Sequence, residues 1–249
     1  MKLYKAEAIV IRSRKYSEAD CIITLYSRER GKIDAIAKGV RKLKSTKRGG
    51  VQLFTHGNFL LYEGRNLHTV TQCEAINSYG PLREELMKMS YATYIAELVD
   101  GFTVPEEGSD KVFALILASF TLLSALDEPE LAVRVFEIRL MNLLGYNPQL
   151  DNCCNCYQPI KGSFKFSSSL GGLLCSNCFS HDPGALSCKM GSVKVLQQLA
   201  TMDMRKLKVL KISPEIKREM ERLMEEYLLL RVDKKLKTTG FIKKLKSFI

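Results

Sequence analysis

The run Lys32-Ile33-Asp34-Ala35-Ile36-Ala37-Lys38 lies between the turn signal Arg28-Glu29-Arg30-Gly31 and Gly39. Ile33, Ala35 and Ala37 fall on one face, the partial alternation of a half-buried strand. The same reading extends outward in both directions. Upstream, residues 6–12 and 21–27 are rich in Ile, Val and Leu. Downstream, residues 58–63 and 67–74 flank a second turn, Glu63-Gly64-Arg65-Asn66. Five short strands in the first 75 residues predict a small closed barrel. An OB-fold is the commonest such barrel that binds nucleic acid strands. An SH3-like barrel fits the same pattern.

Around Pro81 the period changes. Residues 82–104 and 112–126 have helical length and composition, and Ser109 and Asp110 suit the N-cap of the second. A third helix follows Asp127-Glu128-Pro129 and stops near Gly145. It is apolar nearly all round, so most of it should be buried. Residues 151–185 form a cysteine-rich insert, after which helices resume. Ser213-Pro214 caps one with an apolar stripe at Ile216, Met220, Leu223, Met224, Tyr227 and Leu228. Residues 234–249 are basic and amphipathic, and no internal repeat is evident. The expected architecture is α+β and multidomain. It comprises an N-terminal OB-fold β-barrel (1–80), an α-helical domain (81–150 and 186–249) and an inserted four-cysteine, zinc-ribbon-like module (151–185).

Composition narrows the function. The 249 residues are 46% hydrophobic, enough for a real core, and 16 Gly with 7 Pro exclude collagen-like and low-complexity classes. The net charge is +11, unevenly spread. Residues 1–80 carry 15 basic and 7 acidic side chains, 81–150 carry 5 and 11, 151–185 carry 2 and 2, and 186–249 carry 16 and 7. The excess therefore sits at the two ends, +8 and +9, around an acidic middle. Segregated basic charge of this size points to a polyanion, nucleic acid before an anionic membrane. The first residues lack the apolar stretch of a signal peptide. The longest uncharged apolar run is the fifteen residues 112–126, short of the roughly 20 a membrane span needs. A soluble, cytoplasmic protein is expected.

Six of the eight cysteines lie between Cys153 and Cys188, four of them as Cys153-x2-Cys156-x18-Cys175-x2-Cys178. In a cytosolic chain two CxxC knuckles read as metal ligation. A loop of this length lets the knuckles face each other and close a four-thiolate site, which suits one Zn2+. Four protein ligands leave no open position, so the metal is expected to be structural and to contribute to folding of the insert. Cys154 competes with Cys153 only through a shorter C-x-C knuckle, and Cys188 is a spare thiol. Reduced buried cysteines and redox CxxC chemistry are the alternatives. Gly171-Gly172 supports a tight turn before the second knuckle. His181 reads as a surface histidine rather than an outer partner of the metal.

Residues 39–50 carry five cations, Arg41, Lys42, Lys44, Lys47 and Arg48, and no acid, between glycines that give the loop freedom. These side chains can neutralise phosphates and release counterions. Arg12, Arg14, Lys15 and Lys38 are expected on the same face. Tyr16, Tyr26, Phe54 and Tyr62 are candidate stacking surfaces for unpaired bases, at least half of which should instead be barrel core. No catalytic constellation emerges: the chain has no GxxxxGK[ST], HExxH or GxSxG. The acids Glu106, Glu107 and Asp110, and Asp127, Glu128 and Glu130, each precede an apolar helix, where they suit the helix N-terminus. His56 and His68 have no obvious acid partner.

Taken in order, these features resemble the bacterial RecO family of recombination mediators. The resemblance runs nearly end to end. It is carried by Ala8-Ile9-Val10-Ile11-Arg12 with Tyr16-Ser17-Glu18-Ala19-Asp20, and by Lys38-Gly39-Val40-Arg41-Lys42 through Leu53-Phe54. Gly145-Tyr146-Asn147-Pro148-Gln149-Leu150 before the first knuckle is its most specific segment, and Gly171-Gly172-x2-Cys175-x2-Cys178 follows. Leu236-Lys237-Thr238-Thr239-Gly240-Phe241-Ile242 is a looser match. Two departures are Tyr157, where the family usually has Gly, and the extra Cys154. The resemblance implies an OB-fold, a helical domain and a zinc module. It also implies binding of single- and double-stranded DNA and annealing of complementary strands coated by single-stranded DNA-binding protein (SSB). With RecR, such a protein loads RecA without nucleotide hydrolysis. The acidic, Phe-ended tail of SSB is the implied contact, for which Arg134 and Arg139 are candidates. A zinc-ribbon nuclease and a sequence-specific DNA-binding regulator are the competing classes.

Overall fold

The computed structural model describes residues 2–232 and 234–248. By their contacts they form two compact units, Met1–Ala125 with Leu236–Ile249, and Leu126–Lys235. These boundaries follow packing, whereas the partition at 80, 150 and 185 follows composition.

Unit 1 opens with five strands: β1 (Leu3–Lys15), β2 (Cys21–Ser27), β3 (Gly31–Ala37), β4 (His56–Tyr62) and β5 (His68–Asn77). They close into a barrel in the order β1-β2-β3-β5-β4, with β4 returning to β1. Every pair is antiparallel except β3 with β5. This is the five-stranded Greek-key arrangement of an OB-fold. Alternation decides what enters the barrel: Ala6, Ala8 and Val10, then Ile23 and Leu25, then Ile33, Ala35 and Ala37 all pack inside. At 13 residues β1 is longer than its apolar run. Its polar ends are held by register, Leu3 against Tyr62 and Lys15 against Cys21.

Helices follow. The expected helix over 82–104 is two, α1 (Pro81–Glu84) and α2 (Leu86–Phe102), because Glu85 between them is extended, at φ −105° and ψ 119°. Next comes α3 (Asp110–Ala125), where the Val112 N–H donates to Ser109 Oγ at 3.3 Å. Unit 2 begins with α4 (Pro129–Leu143), buried along most of its length. A three-stranded sheet then forms in the order β7-β6-β8, from β6 (Phe164–Ser167), β7 (Gly172–Cys175) and β8 (Leu186–Ser187), with a 3-10 helix at Ser176–His181. After α5 (Met190–Thr201) and a 3-10 turn at Met204–Val209 comes α6 (Pro214–Leu229), whose Ser213 cap accepts from the Ile216 N–H as expected. The chain then rejoins unit 1 as α7 (Thr238–Phe248), which packs on α2. Among the described residues no helix is long and apolar enough to cross a membrane.

Candidate metal centre and nucleic-acid interface

In unit 2 the two knuckles converge. The thiol sulfurs of Cys153, Cys156, Cys175 and Cys178 all lie within 4.8 Å of one another, close enough to share one metal ion. The Sγ atoms of Cys156 and Cys175 are 3.7 Å apart. Local backbone builds the site. The Tyr157 N–H donates to the Cys153 carbonyl at 2.9 Å, which closes the first knuckle. This turn puts Tyr157 at φ +60°. A left-handed residue there is why glycine is favoured at the position, and Tyr bears the strain. Before the second knuckle Gly171 turns at φ +91°. Gly172 lies so close to Gln149 that a Cβ would sit 2.3 Å from its carbonyl oxygen. Only a bare backbone fits between β7 and that segment.

The electrostatics favour anionic sulfur in part of the set. Burial raises the Cys153 thiol, but backbone N–H groups of Cys156, Cys175 and Asn155 outweigh it and hold the group low. Cys178 accepts from the Asn155 amide at 3.4 Å, yet burial and the neighbouring thiols push it up. Cys154 lies outside the converging set, its thiol raised chiefly by burial, and its backbone N–H is bonded to the Leu173 carbonyl at 2.7 Å. Cys188 is outside too, raised to about 11 by burial. His181 is exposed. Within the module Asp182 accepts from Ser167 and Ser169, which hold its carboxyl low. The four cysteines are the one group of three or more ligand-type side chains gathered this way among the described residues. The two acid clusters do not converge; Asp110 pairs with Arg28 and Glu128 with Lys217.

In unit 1 the basic loop is pinned rather than free. Val40 and Val51, at its ends, are plugged into the barrel core. The Gly39 N–H donates to Asp20 Oδ1 at 2.8 Å, and the Arg41 N–H to the Ala19 carbonyl at 2.9 Å. Arg41 Nη1 reaches the Ser17 carbonyl at 2.8 Å, Arg48 Nη2 the carbonyls of Arg41 and Lys42, and Lys47 Nζ that of Val70. The bonds of Gly39 and Arg41 tie the loop to the β1–β2 turn, those of Arg48 close it on itself, and that of Lys47 ties it to β5. Lys15 pairs with Cys21 and Cys21 with Ala37, so the end of β1, the start of β2 and the end of β3 share one rim of the barrel. That rim brings together Arg14, Lys15, Lys38, Lys42 and Lys44, all exposed. None has a carboxylate within ion-pair distance among the described residues. Arg12 is exposed but pairs with Asp100 at 3.8 Å. Asp20, under the rim, is held low first by the Gly39 N–H and further by Lys38 and Lys42.

The aromatics divide evenly. Tyr26 and Phe54 are core, whereas Tyr16 and Tyr62 are exposed. Tyr16 belongs to the β1–β2 turn at the basic rim, while Tyr62 pairs with Leu3 at the other end of β1. His56 does have an acid partner: Nε2 lies 2.8 Å from Glu7 Oε1, and its ring meets the edge of Phe113. The residues are 49 apart in sequence, and only the β1–β4 register makes them neighbours. His68 Nδ1 lies 3.0 Å from the Tyr4 hydroxyl. In unit 2 Arg134 is buried against Glu137 at 2.9 Å. Arg139 donates to the carbonyls of Leu199 and Met202. Both guanidiniums bind their own unit. The basic C-terminal segment is divided, since four lysines, Lys237, Lys243, Lys244 and Lys246, fall in unit 1 and the rest in unit 2.

Comparison with known proteins agrees over nearly the whole chain. The family model described as "Recombination protein O N terminal" matches residues 1–79, and "Recombination protein O C terminal" matches 83–240. The chain is 40% identical over 242 residues to "DNA repair protein RecO" of Pelotomaculum thermopropionicum, covering 97% of this chain and 94% of that one. It is 36% identical to the protein of that name from Symbiobacterium thermophilum, covering 99% of each. The one from Moorella thermoacetica is 38% identical, over 98% of this chain and 91% of its own.

Proposed function

We propose a function from one premise: the chain belongs to the RecO family, whose models and relatives span it almost end to end. It is a recombination mediator of DNA repair. It binds single- and double-stranded DNA, anneals complementary strands coated by SSB and, with RecR, promotes RecA loading without hydrolysing nucleotide. It acts in the cytoplasm, on nucleoid DNA, and is not an enzyme. The observation that carries the DNA reading is the pinned cationic rim, where Arg14, Lys15, Lys38, Lys42 and Lys44 stand exposed at one end of an OB barrel. Strands repel one another through their phosphates. A protein that holds phosphates of both screens that repulsion and releases counterions, so annealing needs no chemical step.

The metal proposed is one structural Zn2+. A Zn–S distance of about 2.3 Å in a tetrahedron implies sulfurs about 3.8 Å apart, and Cys156 and Cys175 stand 3.7 Å apart. Zinc would cross-link the two knuckles, and the four cysteines would hold it with no position left for substrate. We assign 151–185 as the zinc module, 1–80 as the DNA-binding domain, and 81–150 with 186–249 as the helical domain. For the acidic SSB tail, Arg134 and Arg139 remain the proposed contacts. To serve, each must exchange a bond it makes inside unit 2 for a tail carboxylate.

The test is the annealing rate of complementary oligonucleotides coated with cognate SSB, read by fluorescence without nucleotide. A large acceleration is expected. Replacing Arg41, Lys42, Lys44, Lys47 and Arg48 together by Ala should abolish most of it. The same change should flatten the salt dependence of DNA binding by about 0.7–0.9 in logarithmic slope per lost phosphate contact. Tight binding to bare DNA without acceleration would overturn the mediator reading. An unchanged salt slope would remove the loop from the interface.

A further inference from the structure

The same rim carries an apolar side chain that charge neutralisation leaves unexplained. Leu43 is 92% exposed, the most exposed large hydrophobic side chain among the described residues, and stands between Lys42 and Lys44. It is not on a loose arm. Lys42 N–H bonds the Gly39 carbonyl, Ser45 N–H the Lys42 carbonyl at 3.0 Å, and Arg48 N–H the Ser45 carbonyl. Leu43 thus occupies the outer corner of a turn within a chain of turns, with the Arg48 guanidinium holding the carbonyls of Arg41 and Lys42 beneath it. The adjoining turn, to which Arg41 ties this one, presents Tyr16, 63% exposed. A hydrogen-bonded turn therefore projects a branched hydrocarbon from a cationic rim that also carries an exposed ring.

We propose that Leu43 is a wedge that enters between adjacent bases of bound DNA and unstacks them. The proposal rests on the reading of this rim as the DNA interface, and it deepens that reading. Lysines either side of Leu43 are placed to hold the two phosphates flanking a base step while the side chain enters between the bases. Branched apolar side chains are used in this way by proteins that kink or open DNA. Tyr16 then offers a face on which a released base stacks. Unstacked bases present their pairing edges to a second strand, so the wedge links binding to annealing. An anionic membrane is disfavoured as the target, because one leucine offers too little hydrocarbon for stable anchoring.

The chain contains no tryptophan, so Leu43→Trp installs a single reporter at the tip. It is titrated with a mixed-sequence single strand and with a duplex bearing a single-stranded overhang. Binding is followed independently by anisotropy of labelled DNA. Tryptophan quenching that saturates with the binding curve is expected. Binding without any change in tryptophan emission would overturn the wedge and leave the DNA interface standing. No binding by either wild type or variant would remove the DNA reading and the wedge with it. A blue shift on phosphatidylserine vesicles with none on DNA would overturn the proposal in favour of a membrane contact.

A second measurement uses native Leu43. Wild-type protein should raise the fluorescence of 2-aminopurine placed in the strand, and Leu43→Ser should cut that rise by about half or more. The salt slope should stay unchanged in this variant, because no charge is removed. A full rise with Leu43→Ser would also overturn the wedge.

Discussion

The barrel and the cysteine module are both small β structures, but they are held together by different materials. The barrel encloses a continuous hydrocarbon core, with Val10, Ile23, Leu25, Ile33, Phe59, Leu61 and Val70 among its buried members. Around the knuckles the module's core is a small cluster, Cys153, Cys175 and Cys178 with Leu174 and Ala185. Three of the five buried members of this cluster are the proposed ligands. The barrel's stability is spread over many hydrocarbon contacts, whereas with the proposed zinc the module's would lean on four sulfurs. The same perturbation should therefore affect the two regions very differently.

Metal removal should show the largest difference. Chelation, or Cys175→Ser, should expose the β6 and β7 amides to hydrogen exchange and leave those of β2 and β3 protected. Metal-coupled folding of such sites is worth on the order of 10 kcal/mol. Exchange in both regions would mean the barrel also depends on the metal; exchange in neither would mean the module is held by something other than its cysteines. The reverse experiment is smaller. Phe59→Ala in the barrel core should cost about 3–5 kcal/mol in a urea melt with bound zinc unchanged. Smallest is Tyr157→Gly. Relieving a left-handed Tyr should stabilise the module by about 0.5–1 kcal/mol after glycine's own entropy is charged against it, read as tighter zinc retention against a competing chelator. Weaker retention would mean the exposed ring contributes more than the strained backbone costs.

How much of this was legible beforehand follows the same division. Alternation in the barrel strands and the spacing of four cysteines are local patterns, and both report the structure well. What stayed hidden depends on partners distant in sequence. The polar ends of β1 carry no strand signal and are held only by β2 and β4. Glu85 breaks a helix at a residue nothing in its neighbourhood marks. Composition suggests a flexible basic loop, because the valines that anchor it and the carbonyls that Arg41 and Arg48 bind are visible only in three dimensions. Arg134 and Arg139 stand out in the sequence as two of the five cations in the acidic middle. On a helix buried nearly all round, their guanidiniums instead reach backbone carbonyls of the same unit. Tyr157 was visible as a departure from the family, but its cost needed the φ angle.

The return of α7 to unit 1 bears on how the chain is made. Thr238 donates its N–H to Glu97 Oε2 at 3.0 Å, and Leu236 and Ile242 are buried there. Synthesis runs from the N-terminus, so every strand of the barrel emerges from the ribosome well before the helix that covers α2. The whole of residues 126–235 is translated in between. For that interval the first unit has its barrel but lacks one covering element. A message cut short after residue 235 would yield a protein with every DNA-contacting residue proposed here and an uncovered apolar face on α2. Residues 236–248 thus complete the packing of a unit whose barrel is translated before residues 126–235.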